Sequence, residues 1–314
     1  MIYSAENQQC QTIVSEALQY GRQFVRYGKP ASYIKVLAKK DPSRLGVAVC
    51  DLKGQIFALG DSEYPFSMQS IAKVISLILA IEQNGLEYVF TKVGLEPTGD
   101  TFNSLVRLEN LATKKPFNPM INAGAIAVAS CIRGGTVEQR QQTFLAFARK
   151  LTGNETLDFD YEVYRSERET GYKNRSIANL MKSNGILDGE IEPHLEVYFS
   201  LCSVNATCRD LAYFAAVLSN DGRDPKTGEE LVPLRVVRLV RSLMVTCGMY
   251  DFSGEYAATV GMPSKSGVGG GIIASPIGKY GIAVYGPALD SKGNSVGGLK
   301  IMEYLSQKLE LSMF

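Results

Sequence analysis

Ser70-Ile71-Ala72-Lys73 sets a hydroxyl and a primary amine three residues apart at the start of a strongly apolar segment. In a helix, residues three apart share a face, so the lysine nitrogen comes within reach of the serine proton. A helix N-terminus adds free N–H groups and a positive dipole end, which favour a developing oxyanion and disfavour a neighbouring cation. Half-buried by Phe66, Ile71 and Val74, the amine should have a lowered pKa and could act as general base for a serine nucleophile. Alone, the tetrad is a weak signal. A chain of ordinary Ser and Lys usage holds about one S-x-x-K by chance, and Ser32-Tyr33-Ile34-Lys35 is a second copy.

Lys265-Ser266-Gly267, followed by Val268 and three glycines, is the other candidate. It fails as a phosphate loop, because lysine and serine precede the glycines and a strand rather than a helix should follow. It fits K-[S/T]-G, the third signature of the penicillin-recognising enzymes, whose first is S-x-x-K at a helix start. The two signatures stand in that order, about 195 residues apart, and the glycines let backbone N–H groups approach a substrate closely. Ser203-Val204-Asn205 could serve as the middle signature, S-D-N or Y-x-N.

Composition narrows the chemistry further. The 314 residues carry 33 Lys plus Arg against 32 Asp plus Glu, a net charge of +1, which excludes a broad electrostatic grip on nucleic acid or anionic lipid. His194 is the only histidine, so zinc sites built on several imidazoles are excluded, and a Ser-His-Asp triad would have to use this residue. Beside Pro193, it reads as part of a helix start rather than as a catalyst. No metal or cofactor is expected. The six cysteines include no C-x-x-C pair, and residues 1 to 20 lack a charged-then-apolar leader pattern, so reduced thiols in the cytoplasm are expected. The longest apolar runs, 74–81 and 123–132, are too short to span a bilayer at about 20 residues per crossing.

The elements that must position these groups follow from periodicity. The first 28 residues predict an amphipathic helix with Gly28 as its C-cap before Pro30, then a short helix over 32–39. Runs 45–52 and 55–59, joined by Lys53-Gly54, predict a hairpin. From Ser70 to about Thr246 the pattern is almost wholly helical: 71–83, 122–132, 137–151, 176–182, 194–202, 208–218 and 233–245. Thr207 with Asp210 forms a capping-box pattern ahead of one of these. Short strands are expected at 256–261, 269–274 and 281–285, and a helix over 295–309 closes the chain. Strands near both ends imply that the ends meet in one antiparallel sheet. The expectation is a mixed α/β (α+β) fold with a sheet lobe from 1–64 and 246–314, a helical lobe from 65–245, and a small-molecule cleft between them.

Several blocks together resemble the serine-dependent glutaminases: 66–73 (FSMQSIAK), 117–126 (FNPMINAGAI), 166–171 (SERETG), the Tyr198-Phe199 segment with Leu201 to Ser203, 247–254 (CGMYDFSG) and 263–270 (PSKSGVGG). The likeness runs from about Tyr33 to the C-terminus. It implies a β-lactamase/transpeptidase-like fold and hydrolysis of the side-chain amide of L-glutamine to glutamate and ammonia. It puts the catalytic pair on Ser70 and Lys73, and the substrate contacts on Tyr33, Gln69, Ser70, Asn122, Glu167, Asn174, Tyr198, Tyr250 and Val268.

Chemistry agrees with those assignments. A zwitterionic amino acid needs an anion for its ammonium, which suits Glu167, and neutral donors for its carboxylate, which suit Asn122, Asn174 and Tyr198. The Ser70 and Val268 amides would form an oxyanion hole, and Tyr250 could relay a proton to the leaving amine. Taken singly, Glu167 also reads as a solvated helix face, Asn122 as an N-cap, and the tyrosines as packing residues. The chain departs from the family in carrying asparagine at 205, where relatives often have an acidic residue, and the compact bacterial form, without the N-terminal extension and ankyrin repeats of the animal enzymes, is expected. A homodimer or homotetramer is expected. The rival readings are a β-lactamase-like hydrolase of the same fold and a non-catalytic amino-acid-binding protein.

Overall fold

The computed structural model describes residues 2–98 and 115–314. A five-stranded antiparallel sheet carries β1 (Gly46–Asp51) and β2 (Ile56–Gly60) from the first part of the chain and β6 (Ser264–Ser266), β7 (Gly271–Ala274) and β8 (Tyr280–Tyr285) from the last, in the order β2-β1-β8-β7-β6. The two ends of the chain therefore meet, as the strand pattern predicts, through pairs such as Ala48 with Ala283.

Its central strands read as unbroken apolar runs because both faces are covered. Val47, Val49, Ile272, Ile282 and Val284 pack towards α1 (Ile2–Arg22) and the closing helix (Val296–Lys308). Ala48, Cys50, Ile273, Ala283 and Tyr285 face the other way, into the larger core. On that side lies helix Cys208–Ser219, capped by the expected box of Thr207 and Asp210. It presents Ala212, Ala215 and Ala216 to β8, and Gly281 lets it come close: a Cβ there would lie 2.0 Å from the Ala216 nitrogen.

Between the sheet strands lie α2 (Ala72–Asn84), α3 (Leu86–Lys92), α4 (Asn122–Ser130), α5 (Val137–Thr152), α6 (Tyr161–Thr170), α7 (Tyr172–Ser183), α8 (Ile191–Cys202), α9 (Cys208–Ser219) and α10 (Leu234–Cys247), followed by α11 (Ser253–Thr259). The closing helix is α12. A second antiparallel sheet of short strands, β3 (Phe66–Ser67), β5 (Val204–Ala206) and β4 (Asp158–Phe159), joins the start of α2 to the end of α8. Among the described residues no helix is long and apolar enough to cross a membrane, and all six cysteines are free and buried.

Four local expectations are corrected. Helix α1 stops at Arg22, and Gly28 is not its C-cap: extended at φ −113°, it ends a separate 3-10 turn, 25–27, where the backbone runs against Ala288 and Leu289. The expected helix over 32–39 is reduced to a 3-10 turn at 37–39, since Lys29 pairs with Leu289 and holds the preceding chain extended. The expected strand at 256–261 is helix α11, because Tyr256 turns into the core and meets Ser264 Oγ at 2.9 Å. Lys265-Ser266 precedes the expected strand, β7, but itself lies within a further strand, β6, rather than in a loop. The small sheet and α3 went unforeseen, the strands being only two or three residues long.

Replacing Gly281 by alanine should push α9 off β8 and cost about 1–3 kcal/mol; urea unfolding of the purified variant measures it.

Candidate active site

Three separate contacts position Ser70. Phe66 stacks on Tyr285 with ring centroids 4.4 Å apart, fixing β3 to the end of β8. The Met68 amide donates to the Val204 carbonyl at 2.8 Å. Gly267 then passes so close that a Cβ would lie 2.7 Å from the Met68 oxygen and 3.3 Å from the Ser70 nitrogen. Only glycine allows the β6–β7 turn to lie against the backbone of the serine. Gln69 pays for this course with a left-handed conformation, φ +49°, a strain of about 1 kcal/mol or more for a non-glycine residue.

Ser70 sits in a 3-10 turn, Gln69–Ile71, that runs directly into α2. Lys73 follows in the first turn and is 2% exposed. Its Nζ donates to Asn122 Oδ1 at 2.7 Å and to the Met120 carbonyl at 3.2 Å. No carboxylate pairs with it at salt-bridge distance among the described residues, and burial lowers its pKa to about 8. The second S-x-x-K copy differs on each count: Ser32 and Lys35 are exposed and only a 3-10 turn at 37–39 follows them.

A cavity of about 260 Å³ opens beside Ser70. It is lined by Tyr33, Gln69, Ser70, Asn122, Glu167, Asn174, Tyr198 and Val268, eight residues singled out from the sequence. They come from seven separate segments. Tyr33 and Val268 close one side, Asn122 opens α4, Glu167 projects from α6, Asn174 begins α7, and Tyr198 stands on α8. Asn122 Nδ2 donates to Asn174 Oδ1 at 3.1 Å, so the amides form one chain that ends on the Lys73 nitrogen. Glu167 faces the cavity rather than solvent. Burial raises its pKa to about 7, opposed by a hydrogen bond from Gln69 and by the charge of Lys73.

Tyr250, at φ +59°, lies behind this lining. Its hydroxyl donates to the Ser266 carbonyl at 3.1 Å and has the Ser70 side chain and the Val268 amide as hydrogen-bonding neighbours; burial pushes its pKa up to about 12. His194 is elsewhere: its ring nitrogens meet Arg140 at 3.3 Å and the Asp188 carbonyl at 2.9 Å, a bridge between α5 and α8. Asn205, in β5, donates to Asp160, the N-cap of α6, not to the cavity. Thr170, Gly171, Lys173 and Cys202 also line the pocket and were missed. Helical spacing held the signal, for Thr170 is three residues beyond Glu167 and Cys202 four beyond Tyr198.

Among the described residues no group of three or more His, Cys, Asp or Glu is placed to hold a metal. The arrangement suits acyl transfer: a hydroxyl, an amine held near neutrality, a phenol that keeps its proton, and an anion set apart for a cationic substrate group.

Comparison with known proteins agrees with that chemistry. A family model described as Glutaminase matches residues 28–314. A glutaminase of Clostridium botulinum (strain Kyoto / Type A2) is 50% identical over 302 residues, 96% of this chain and 99% of that protein; one of Clostridium tetani is 49% identical over 97% of this chain and 99% of its own. Among solved structures, a Bacillus glutaminase superposes with a TM-score of 0.89 at 40% identity, covering 97% of this chain and 99% of that one. A probable glutaminase from Bacillus subtilis complexed with 6-diazo-5-oxo-L-norleucine gives 0.87 at 39% identity, covering 95% and 94%. These neighbours share the mixed α/β, β-lactamase-like architecture.

The raised pKa of Glu167 makes a stability prediction. A carboxyl that binds its proton more tightly when folded contributes stability below its unfolded value, near 4.5, and loses it as pH rises through about 7. Without ligand, Glu167→Gln should therefore be more stable than the parent at pH 8 by on the order of 2–3 kcal/mol. The difference should vanish near pH 4, as read by denaturant unfolding at the two pH values.

Proposed function

The chain belongs to the glutaminase family and is an L-glutamine amidohydrolase, and from that premise we propose that it hydrolyses the side-chain amide through an ester on Ser70. The observation that carries this reading is the meeting of Ser70 and Glu167 in one amino-acid-sized cavity, backed by a buried amine whose pKa lies near neutrality.

Glu167 binds the substrate ammonium, whose charge favours the carboxylate form. Asn122, Asn174 and Tyr198 hold the α-carboxylate, with Tyr33 across the mouth and Gln69 fixing Glu167. Neutral Lys73 takes the Ser70 proton, and Oγ attacks the γ-carboxamide carbon. The resulting oxyanion is held by the amides of Ser70 and Val268, which line the same cavity.

The C–N bond breaks as the Tyr250 hydroxyl gives its proton to the leaving nitrogen, which departs as ammonia. The proton on Lys73 then restores the phenol. In the second half, water attacks the γ-glutamyl ester and gives a proton to Lys73, which returns it to Ser70 Oγ as glutamate forms. A cavity of this volume favours a single amino acid over the bulky acyl donors of a β-lactamase. The free thiols support a cytoplasmic protein, and assembly as a homodimer or homotetramer remains part of this reading, to be measured by light scattering.

Ser70→Ala should fold normally and release ammonia from L-glutamine at least ~10⁴-fold more slowly; a purified alanine variant with parental turnover would remove the serine ester. In the parent enzyme kcat/KM should rise with pH through the range about 7 to 8, as Glu167 and then Lys73 lose their protons. A profile flat from pH 6 to 9 would contradict both roles.

A further inference from the structure

Of the residues that line the cavity beside Ser70, only Glu167 and Lys173 are of the acidic and basic types. The proposed reaction uses the first and gives the second no task. Lys173 is exposed and stands in the first turn of α7, one residue before Asn174.

Local structure does not account for a lysine in that place. A cation in the first turn of a helix is opposed by the positive end of the helix dipole, and α7 has no acidic residue in that turn to offset it. The basic residues around it are engaged with carboxylates. Arg168 reaches Glu196 at 2.6 Å, Arg175 reaches Glu192 at 2.8 Å, and Lys182 reaches Glu190 at 3.3 Å. Lys173 has no ion pair or side-chain hydrogen bond of this kind among the described residues. Glu167 does not supply one either, since the charge that acts on its carboxyl is that of Lys73.

A free amino acid brings the missing anion. Glutamine carries an ammonium and a carboxylate on the same carbon; with the ammonium on Glu167, the carboxylate falls to Asn174 and its neighbours, beside Lys173. We infer that Lys173 is a specificity-determining residue for the reaction: its ammonium, at the start of α7, favours substrates with a free α-carboxylate over those in which that group is neutral. The inference deepens the reading of the site given above and rests on its assignment of the α-carboxylate to Asn122, Asn174 and Tyr198. Those side chains give direction through neutral hydrogen bonds, and the lysine gives the charge they lack. Because Lys173 is exposed, solvent and salt screen its pull, so the expected effect is about tenfold.

The test compares L-glutamine with its α-amide, which keeps the ammonium and the side chain but has no α-carboxylate. Both are given to the full-length parent, Lys173→Met and Lys173→Arg, and loss of the side-chain amide is read by mass spectrometry of the product. If the α-amide turns over too slowly, its inhibition constant against L-glutamine hydrolysis takes the place of its kcat/KM. Lys173→Met should raise KM for L-glutamine about tenfold with kcat changing by less than about threefold, and should alter the value for the α-amide by no more than about threefold. Lys173→Arg, which keeps the charge, should stay within about threefold of the parent on L-glutamine. Raising the ionic strength from about 0.02 to about 0.5 M should raise the parent's KM and leave that of Lys173→Met nearly constant, a difference that a merely structural role would not produce. Equal losses on both compounds in Lys173→Met, or none on either, would overturn the inference while leaving the rest of the site as assigned. A parent that handles the α-amide as well as L-glutamine would overturn the carboxylate assignment and this inference together.

Discussion

Burial of the Lys73 amine without an anionic partner is the constraint around which the molecule is built. A lysine in water is protonated at neutral pH and cannot accept a proton, whereas one buried beside a carboxylate is held in its charged form. Here desolvation brings the pKa to about 8. Asn122 and the Met120 carbonyl satisfy the nitrogen with neutral acceptors, so the amine is neither orphaned nor locked as a cation. Meeting that condition takes α2 through the middle of the helical core, with every residue from Ala72 to Ile81 buried. It also takes α4 packed alongside to deliver Asn122.

In the proposed reaction Glu167 answers the same constraint from the substrate's side. The cavity needs an anion for an ammonium, but a fully charged carboxylate close to Lys73 would drive that amine back towards its charged form. With its own pKa raised to about 7, Glu167 is partly neutral in the empty site. Under that proposal it takes on full charge when the substrate ammonium arrives to meet it. The amide chain from Asn174 through Asn122 to Lys73 would, in the proposed reaction, let carboxylate binding be felt at the base. In the proposed reaction substrate recognition and nucleophile activation share side chains, and two of the four described non-glycine residues with positive φ, Gln69 and Tyr250, lie at this site.

Much of this was legible in the sequence, for reasons that differ by element. Ser70 and Lys73 could be paired because a helix fixes their spacing, and the capping box at Thr207 is a local hydrogen-bond pattern. The central strands showed as apolar runs because both sheet faces are buried. What escaped was set by distant contacts. Tyr256 belongs to a helix because its ring finds the core, and Gly28 is extended because the chain runs beside Ala288. Glu167 alone read as well as a solvated surface residue; only the packing of α6 against α8 turns it into the pocket.

The central claim is that the amine-activated Ser70 carries the γ-glutamyl group between the two halves of the reaction. The most direct measurement is acid quenching of the enzyme during turnover of L-glutamine, followed by mass spectrometry of its peptides. The account predicts a γ-glutamyl adduct on the peptide that contains Ser70, appearing as the first ammonia is released. Ammonia release with no adduct at any quench time, or with an adduct on a different residue, would contradict it.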